Sequence, residues 1–259
     1  MPDWMLLVVS GVLGAMIGSF LNVCILRLPA DESLLFPGST CPSCEKPIAW
    51  YDNVPILSWV VLGGKCRNCK VSISAQYPVI EVLTATMWVA AAWYYGLTPT
   101  GVAGALLGTV LLGITVTDAR HMIIPHEFTL GGLAIGFLVA GFQGWDALIT
   151  ALIGAAAGFG LIWVVGTVGT WALKKEAMGG GDLWMMTMVG AFVGWSGVIL
   201  TVFLGAFLGT LVFGPIALFK KEQGLQLPFG VFLAPAAAIT FVFGDALWTW
   251  YFGTLVGLS

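Results

Sequence analysis

The sequence predicts an all-α polytopic membrane protein of about eight transmembrane helices with a small zinc-ribbon-like insert. Hydrophobic residues make up 59% of the 259 positions and charged residues only 9%, whereas a soluble domain has roughly 25% charged residues. Long apolar runs recur along the chain, and four of the five cysteines fall in one polar stretch near the N-terminus. These observations exclude an ordinary soluble enzyme.

The first apolar run, 4–26, is predicted to be a retained membrane helix. Asp3 precedes it instead of a basic region, and no small-residue cleavage site follows, so it does not resemble a signal peptide. Arg27 and Pro29 end the helix. We therefore divide the chain into the first helix at 1–26, a tetracysteine insert at 27–77, and a transmembrane region at 78–259. Further spans are predicted at 78–95, 99–117, 127–142, 147–173, 183–194, 197–219 and 229–252.

The basic residues predict the orientation of these spans. With the N-terminus outside, the cytoplasmic segments are 27–77, 118–126, 174–182 and 220–228. They contain all ten lysines and arginines, and the external segments contain none. Because cytoplasmic loops of membrane proteins are enriched in basic residues, this partition favours the proposed orientation.

Two aspartates are the first candidates for chemistry. Asp118 follows the third predicted span and Asp182 precedes the sixth, so both are expected at the cytoplasmic face. A carboxylate at the end of a membrane helix is costly, which favours a functional role. The alternative is that one or both are helix caps, because Asp is a preferred N-cap residue.

Three consecutive glycines, 179–181, precede Asp182. Each glycine costs ~1 kcal/mol relative to alanine inside a helix, so the run predicts irregular backbone. Gly179 and Gly181 would allow an extended substrate strand to approach the carboxylate, although an ordinary glycine-rich turn is the alternative. The span at 183–194 would reach only ~18 Å, against a hydrocarbon core of ~30 Å. Either Gly190 and Gly194 lie inside a longer, tilted span, or this segment dips into the membrane.

The insert contains two CxxC pairs, Cys41–Cys44 and Cys66–Cys69, separated by 21 residues. This spacing is typical of a zinc ribbon, in which four thiolates close a tetrahedral structural site. Two disulfides are the alternative, but the predicted cytoplasmic location opposes them because thiols stay reduced there. Cys24, inside the first span, is expected to be a buried apolar residue.

Glu81 opens the predicted span at 78–95 on the cytoplasmic side. A carboxylate at a helix N-terminus is favoured by the helix dipole, which is the simpler interpretation. Substrate recognition is the alternative.

Several motifs together resemble the bifunctional type IV prepilin peptidases. The motifs are GSFLNVCILRLP at 18–29, CPSC, DNVPILSW at 52–59, CRNC, ISAQYPVIE ending at Glu81, TDARHMIIP, EAMGGGD and LPFGVFLAP at 227–235. They occur in the family's order and spacing over nearly the whole chain.

The resemblance implies a GxGD aspartic protease of the bacterial inner membrane. Asp118 and Asp182 fall on the family's two catalytic positions, and neighbouring carboxylates can share a proton as base and acid. Members cut the leader from prepilins or type II secretion pseudopilins at the cytoplasmic face and methylate the new N-terminus with S-adenosylmethionine. The expected partners are these substrates and membrane lipid, not nucleic acid. Glu81 is of interest because the mature pilin N-terminus is positively charged.

The chain departs from the family at two positions near the aspartates. Trp184 stands where members often have Lys, and His126 where they often have Asp or Asn. Neither change removes a carboxylate.

A proton-coupled transporter with a structural zinc insert is the alternative function. Transporters tend to have inverted repeats and polar sites at the membrane midplane, whereas here both aspartates are predicted at one face. A membrane-anchored zinc module that only binds a partner would leave the aspartates and the glycine run unexplained.

Overall fold

The computed structural model describes residues 3–175, 178–220 and 228–251, and these residues are mostly helical. The helices are α1 (Asp3–Arg27), α2 (Leu57–Val61), α3 (Gln76–Tyr95), α4 (Pro99–His121), α5 (His126–Gln143), α6 (Trp145–Leu173), α7 (Gly180–Lys220) and α8 (Gly230–Trp250). Short 3-10 turns cover Leu28–Ala30 and Trp50–Asp52. β-pairing among the described residues is limited to two isolated bridges in the insert.

Five described helices are long and apolar enough to cross a membrane: Asp3–Ala30, Pro99–His121, Trp145–Ala172, Gly180–Gly214 and Gly230–Trp250. These helices support the prediction of a helical membrane protein, but they do not confirm the predicted number of about eight spans. Helices α3 and α5 cover two predicted spans but are not among the five. The predicted segment 220–228 lies almost entirely outside the described residues, as does the predicted end of the last span at residue 252.

The contacts divide the chain into two units, Met1–Thr109 and Val110–Ser259. In the first unit, α1 and α3 pack antiparallel through small residues of α1. A Cβ at Gly14 would lie 2.8 Å from the Cα of Ala85, and a Cβ at Gly18 would lie 2.8 Å from the Cα of Glu81. Glycines at this spacing let two membrane helices approach closely.

In the second unit, α7 packs against α5, α6 and α8. Gly158 of α6 leaves no room for a Cβ against the carbonyl of Met186, and Gly154 likewise meets the backbone at Gly190. The first part of α7 therefore runs antiparallel to α6 at backbone contact. Its centre is fully buried, with Met185, Met186, Met188 and Val189 all at 0% exposure.

Helix α7 is interrupted at Gly194, the one residue in it with non-helical backbone angles (φ 69°, ψ 179°). Before this residue, the chain of α7 runs towards the N-terminal end of α6. After it, Val198 and Ile199 lie beside Leu161 and Val164, further along α6. The chain therefore turns back at Gly194, which explains why the sequence shows two apolar runs where the structure has one element. The longer-span alternative placed both Gly190 and Gly194 inside one tilted helix. It is right for Gly190, which is helical, but not for Gly194, where the helix is interrupted.

Candidate active site and metal centre

Asp118 lies in the last turn of α4 and is buried, with 5% of its surface exposed. Its Oδ2 accepts a hydrogen bond from the backbone N–H of Val231 at 3.1 Å, and the N–H of Gly230 also bonds the carboxylate. These two residues begin α8. The positive end of a helix dipole and its free N–H groups thus hold the Asp118 carboxylate in one orientation.

Asp182 is the third residue of α7 and is half-buried. Its carboxylate accepts a hydrogen bond from the backbone N–H of Gly179, which precedes the helix. An acidic side chain that reaches back to the N–H before its helix has the geometry of a capping box. The glycine run therefore lies at a helix start. The irregular backbone predicted for it is found only at Gly179, because Gly180 and Gly181 already belong to α7.

Ile124 connects the surroundings of the two aspartates. This buried side chain packs against two glycines. A Cβ added to Gly181 would lie 2.9 Å from the Cβ of Ile124, and one added to Gly230 would lie 3.0 Å from its Cδ1. Gly181 directly precedes Asp182, and Gly230 bonds Asp118. Both aspartates therefore lie next to groups that pack on the same Ile124 side chain, so the structure brings together the surroundings of residues 64 positions apart.

Such a pair can perform acid–base chemistry on water. Neighbouring carboxylates resist ionising together, so one is held as base and the other as acid. Gly179 and Gly180 are exposed at the same helix start, which leaves backbone open beside Asp182. A Cβ on Gly230 would lie 2.8 Å from Asp118 Oδ2, so this position also needs the absence of a side chain.

Sequence reasoning did not identify Ile124 or Gly230 as parts of this site. Gly230 is inside the LPFG motif noted above, but its contact with Asp118 spans 112 residues and has no local pattern. The structure also shows where the two residues that depart from the family pattern lie. Trp184 packs edge-to-face on Phe159 of α6, with ring centroids 6.1 Å apart, and His126 is exposed at the start of α5.

The four insert cysteines converge as the sequence predicts. The sulfurs of Cys41, Cys44, Cys66 and Cys69 all lie within 4.8 Å of one another, and none is in a disulfide. The Sγ atoms of Cys41 and Cys69 are 3.7 Å apart. A tetrahedral centre with Zn–S bonds of about 2.3 Å separates its sulfurs by about 3.8 Å. The donor set and its spacing therefore fit a four-thiolate metal site.

The two CxxC segments have the same local structure. The N–H of Cys41 bonds the carbonyl of Lys46, and the N–H of Cys66 bonds that of Val71. Glu45 and Lys70, each directly after the second cysteine of its pair, both have positive φ, 56° and 60°. Each pair is thus a tight turn that points two sulfurs inwards.

Backbone N–H groups around the cysteines favour thiolates. Those of Cys69 and Asn68 lower the pKa of the Cys66 thiol to about 6. The N–H groups of Ser43 and Cys44 hold the pKa of Cys41 below its usual range. Because the thiolate is the metal ligand, this backbone favours the ligand form of Cys41 and Cys66. At Cys69 the N–H of Val71 acts in the same direction, but burial and the three neighbouring sulfurs outweigh it and raise the pKa to about 11.

An ion pair joins the second CxxC turn to the Trp50–Asp52 turn. Arg67 donates from Nε and Nη2 to the two carboxylate oxygens of Asp52, at 2.7 and 2.6 Å. The bidentate guanidinium holds the pKa of Asp52 below its usual range. The same guanidinium lies 5.5 Å from the centre of the Tyr51 ring.

Glu81 lies in the first unit and is 6% exposed. Its Oε2 accepts the backbone N–H of Ile56 at 2.7 Å, and the Ser19 side chain also hydrogen-bonds the carboxylate. The carboxylate that was considered for substrate recognition is thus engaged with the insert and with α1. Cys24 is buried in α1 at 6% exposure, apart from the cysteine cluster.

Comparison with known proteins gives a consistent result. The family model for the bacterial peptidase A24 N-terminal domain matches residues 12–95, and that for the type IV leader peptidase family matches residues 105–214. A prepilin leader peptidase/N-methyltransferase of Aeromonas salmonicida is 36% identical over 98% of this chain and 96% of its own length.

Other relatives carry the same name. The Pseudomonas aeruginosa protein is 34% identical over 91% of this chain and 90% of its own length. The Myxococcus xanthus protein is 38% identical over 78% of this chain, and the match covers 60% of that relative. No solved structure matches the chain.

Proposed function

The chain belongs to the type IV leader peptidase family, and we propose that it is a membrane aspartic endopeptidase that removes the leader from prepilins or type II secretion pseudopilins. It also methylates the new N-terminal residue. The observation that carries the proposal is that Asp118 and Asp182 lie on either side of Ile124, beside open glycine backbone. A transporter with the same carboxylates gains no support from the relatives, which are named as peptidases and methyltransferases.

In the proposed mechanism one aspartate takes a proton from water as the water oxygen attacks the scissile carbonyl. The other aspartate donates its proton to the carbonyl oxygen, which gives a tetrahedral intermediate with two hydroxyl groups. As this intermediate collapses, the first aspartate passes the proton taken from water to the leaving amine, and the second regains a proton from one of the hydroxyls. The α8 N-terminus holds Asp118 during this exchange, and the Gly179 N–H holds Asp182. The exposed backbone at Gly179 and Gly180 gives an extended leader a place to lie within reach of both carboxylates.

The cysteine cluster is proposed to hold structural zinc. Four thiolates leave no open position for water or substrate, so the metal would stabilise the insert instead of taking part in cleavage. An insert of about 50 residues is too small to form a large apolar core. The methyl donor would be S-adenosylmethionine, and we assign its use to the insert and its flanks.

The proposed topology has about eight spans in the inner membrane, with the N-terminus outside. Helices α3 and α5 cross the membrane with the five most apolar helices, and the two arms of α7 on either side of Gly194 cross separately. Both aspartates and the insert then lie at the cytoplasmic face, together with all the basic residues.

The direct test of this function uses the purified full-length chain in lipid nanodiscs with a prepilin and S-adenosylmethionine. We expect a product shortened by the leader and carrying one methyl group at its new N-terminus, read by mass spectrometry. Recovery of intact prepilin, under conditions in which a relative from Aeromonas salmonicida cuts it, would contradict the proposal.

A further inference from the structure

The short helix α2 of the insert has its apolar face directed outwards. Leu57, Val60 and Val61 are spaced i, i+3 and i+4, so they share one face, and they are 64%, 63% and 79% exposed. A helix on the surface of a water-soluble domain has the opposite arrangement. These three large apolar side chains, on about one and a half helical turns, therefore need another apolar surface to shield them from water.

The opposite face of α2 is bonded to the rest of the insert. Ser58 is buried, and its hydroxyl donates to the carbonyl of Tyr51 at 3.0 Å. The indole of Trp59 donates to the carbonyl of Ile73 at 3.3 Å and packs against Gly64. The outward direction of the apolar face is thus fixed by the insert itself.

The start of α2 lies well below the end of α1. Ile56, directly before α2, donates its N–H to Glu81, and Glu81 is level with Gly18 and Ser19 of α1. Eight residues separate Ser19 from Arg27, where α1 ends. At 1.5 Å per residue this is about 12 Å, so the turn before α2 is level with the interior of the apolar span Asp3–Ala30 and not with its end.

Backbone at this depth needs internal hydrogen-bond partners, because lipid offers none. The turn before α2 meets this requirement. Pro55 has no N–H, the Ile56 N–H bonds Glu81, and the N–H of Leu57 bonds the carbonyl of Pro55 at 2.6 Å. Ile56 has φ 63° and ψ −54°, a rare γ-turn conformation for a β-branched residue. The Glu81 carboxylate stabilises this unusual turn.

The exposed side chains near Glu81 and α2 indicate lipid as the covering. Val79, Val82 and Leu83 of α3, on either side of Glu81 in sequence, are 51%, 45% and 41% exposed. Trp50, which is 81% exposed, belongs to the turn that packs against α2. Tryptophan is enriched at the membrane interface, so the insert presents an interface-type side chain next to α2, and α3 presents apolar side chains on either side of the residue that anchors the turn.

We propose that α2 lies in the bilayer leaflet nearest the insert, with Leu57, Val60 and Val61 against lipid acyl chains and Glu81 fixing its depth. The insert is then not suspended in water but is held at the membrane surface by a short apolar helix. This inference concerns the placement of the insert and does not depend on either proposed enzymatic activity.

Photo-crosslinking of the full-length chain in phospholipid nanodiscs tests this placement. The photoreactive residue p-benzoylphenylalanine is introduced at Val61, at Val12 on the exposed side of α1 as the lipid reference, and at Lys46 in the first CxxC turn as the insert reference. We expect phospholipid adducts at Val61 comparable to those at Val12 and far above those at Lys46. Adducts at Val61 no greater than those at Lys46 would overturn the proposal.

Two further arms examine the anchor and the competing occupant. In the Val61 crosslinking chain, Glu81→Gln keeps an acceptor for the Ile56 N–H and should retain the lipid adduct, whereas Glu81→Leu should reduce it. An unchanged adduct in Glu81→Leu rejects the anchoring role. When prepilin is added, replacement of the lipid adduct by a prepilin adduct would show that this face belongs to the substrate and would overturn the proposal.

Discussion

At the scale of single residues, the site depends on glycines at positions where a side chain would displace a neighbour of the aspartates. Gly181 faces Ile124, and Gly230 faces both Ile124 and Asp118. Neither of these two glycines has a positive φ. Close packing, and not backbone conformation, is therefore the reason for glycine at both positions.

Gly181→Ala should reduce leader cleavage. The new Cβ would lie 2.9 Å from Ile124, and such overpacking costs about 1–3 kcal/mol. If this strain moves Asp182, kcat should fall on the order of tenfold. Gly131→Ala in α5 is the control, because a Cβ there meets nothing within 4 Å and Gly131 is not part of the site. Equal rates for the two variants would show that the Ile124 contact does not hold the site.

The aspartates themselves could be found from the sequence because charges are rare in this chain, and both adjoin apolar runs. Ile124 could not be found in this way, since an isoleucine in an apolar chain carries no local pattern. Its importance comes from its packing against the first residues of α7 and α8, which are distant from Ile124 in sequence. Glu81 shows a related difficulty. Its burial was predicted by nothing in the sequence, because its partner Ile56 lies in the insert.

At the scale of helices and turns, Gly194 determines how α7 is built. Its backbone angles, φ 69° and ψ 179°, belong to a region that glycine alone adopts readily, and other residues pay about 1–3 kcal/mol there. The sequence indicated a break between the runs 183–194 and 197–219 but did not show whether the shorter first run belongs to a tilted span or to a dip. The distinction depends on how the second arm packs on α6, which spacing does not reveal.

Gly194→Ala should lower the free energy of unfolding by about 1–3 kcal/mol. Gly160→Ala is the control, because Gly160 is in α6 with open space around it and ordinary helical backbone. Thermal unfolding of the purified variants in one detergent measures the difference. A Gly194→Ala midpoint at or above that of Gly160→Ala would contradict the reversal at Gly194.

The insert should depend on its metal. Cys41→Ser with Cys44→Ser removes half of the thiolates, and because metal binding contributes folding free energy in such sites, the insert should unfold. We expect zinc content to fall from about one per chain to none by metal analysis. Cys24→Ser is the control, since Cys24 is buried in α1 outside the cluster.

In the same double variant, methylation should fall much further than cleavage, because the aspartates are held by α4, α7 and α8. Equal loss of both activities, at unchanged membrane insertion, would show that the insert and the protease work as one unit. The cysteine cluster was predictable from spacing alone. Helix α2 was not, because five residues are too few to show a helical period.

At the scale of the whole molecule, the long helices begin and end close to the predicted limits. Helix α3 covers Gln76–Tyr95 where 78–95 was expected, and α5 covers His126–Gln143 where 127–142 was expected. Apolar runs bounded by Gly and Pro give this information directly. Helix α4 continues to His121, past the predicted end at 117, so Asp118 lies within the last turn of a helix instead of after it.

The proposed topology predicts opposite accessibility for the two ends of α6. An epitope tag inserted at Gly144, which is exposed before α6, should be reached by antibody from outside intact spheroplasts. A tag inserted after Lys175 should be reached only after permeabilisation, because the basic residues there are expected in the cytoplasm. The reverse pattern would invert the orientation of both the insert and the aspartates.

The central claim is that Asp118 and Asp182 together cut the leader. The most direct measurement is prepilin cleavage by purified Asp118→Asn and Asp182→Asn chains in nanodiscs, beside Asp146→Asn, whose residue is exposed at the start of α6. Each of the first two should lose activity by a factor of about 10²–10⁴, as expected for loss of an acid or base, while still methylating a pre-cut pilin peptide. Asp146→Asn should cut at the unmodified rate. Near-normal cleavage by either Asp118→Asn or Asp182→Asn would contradict the account.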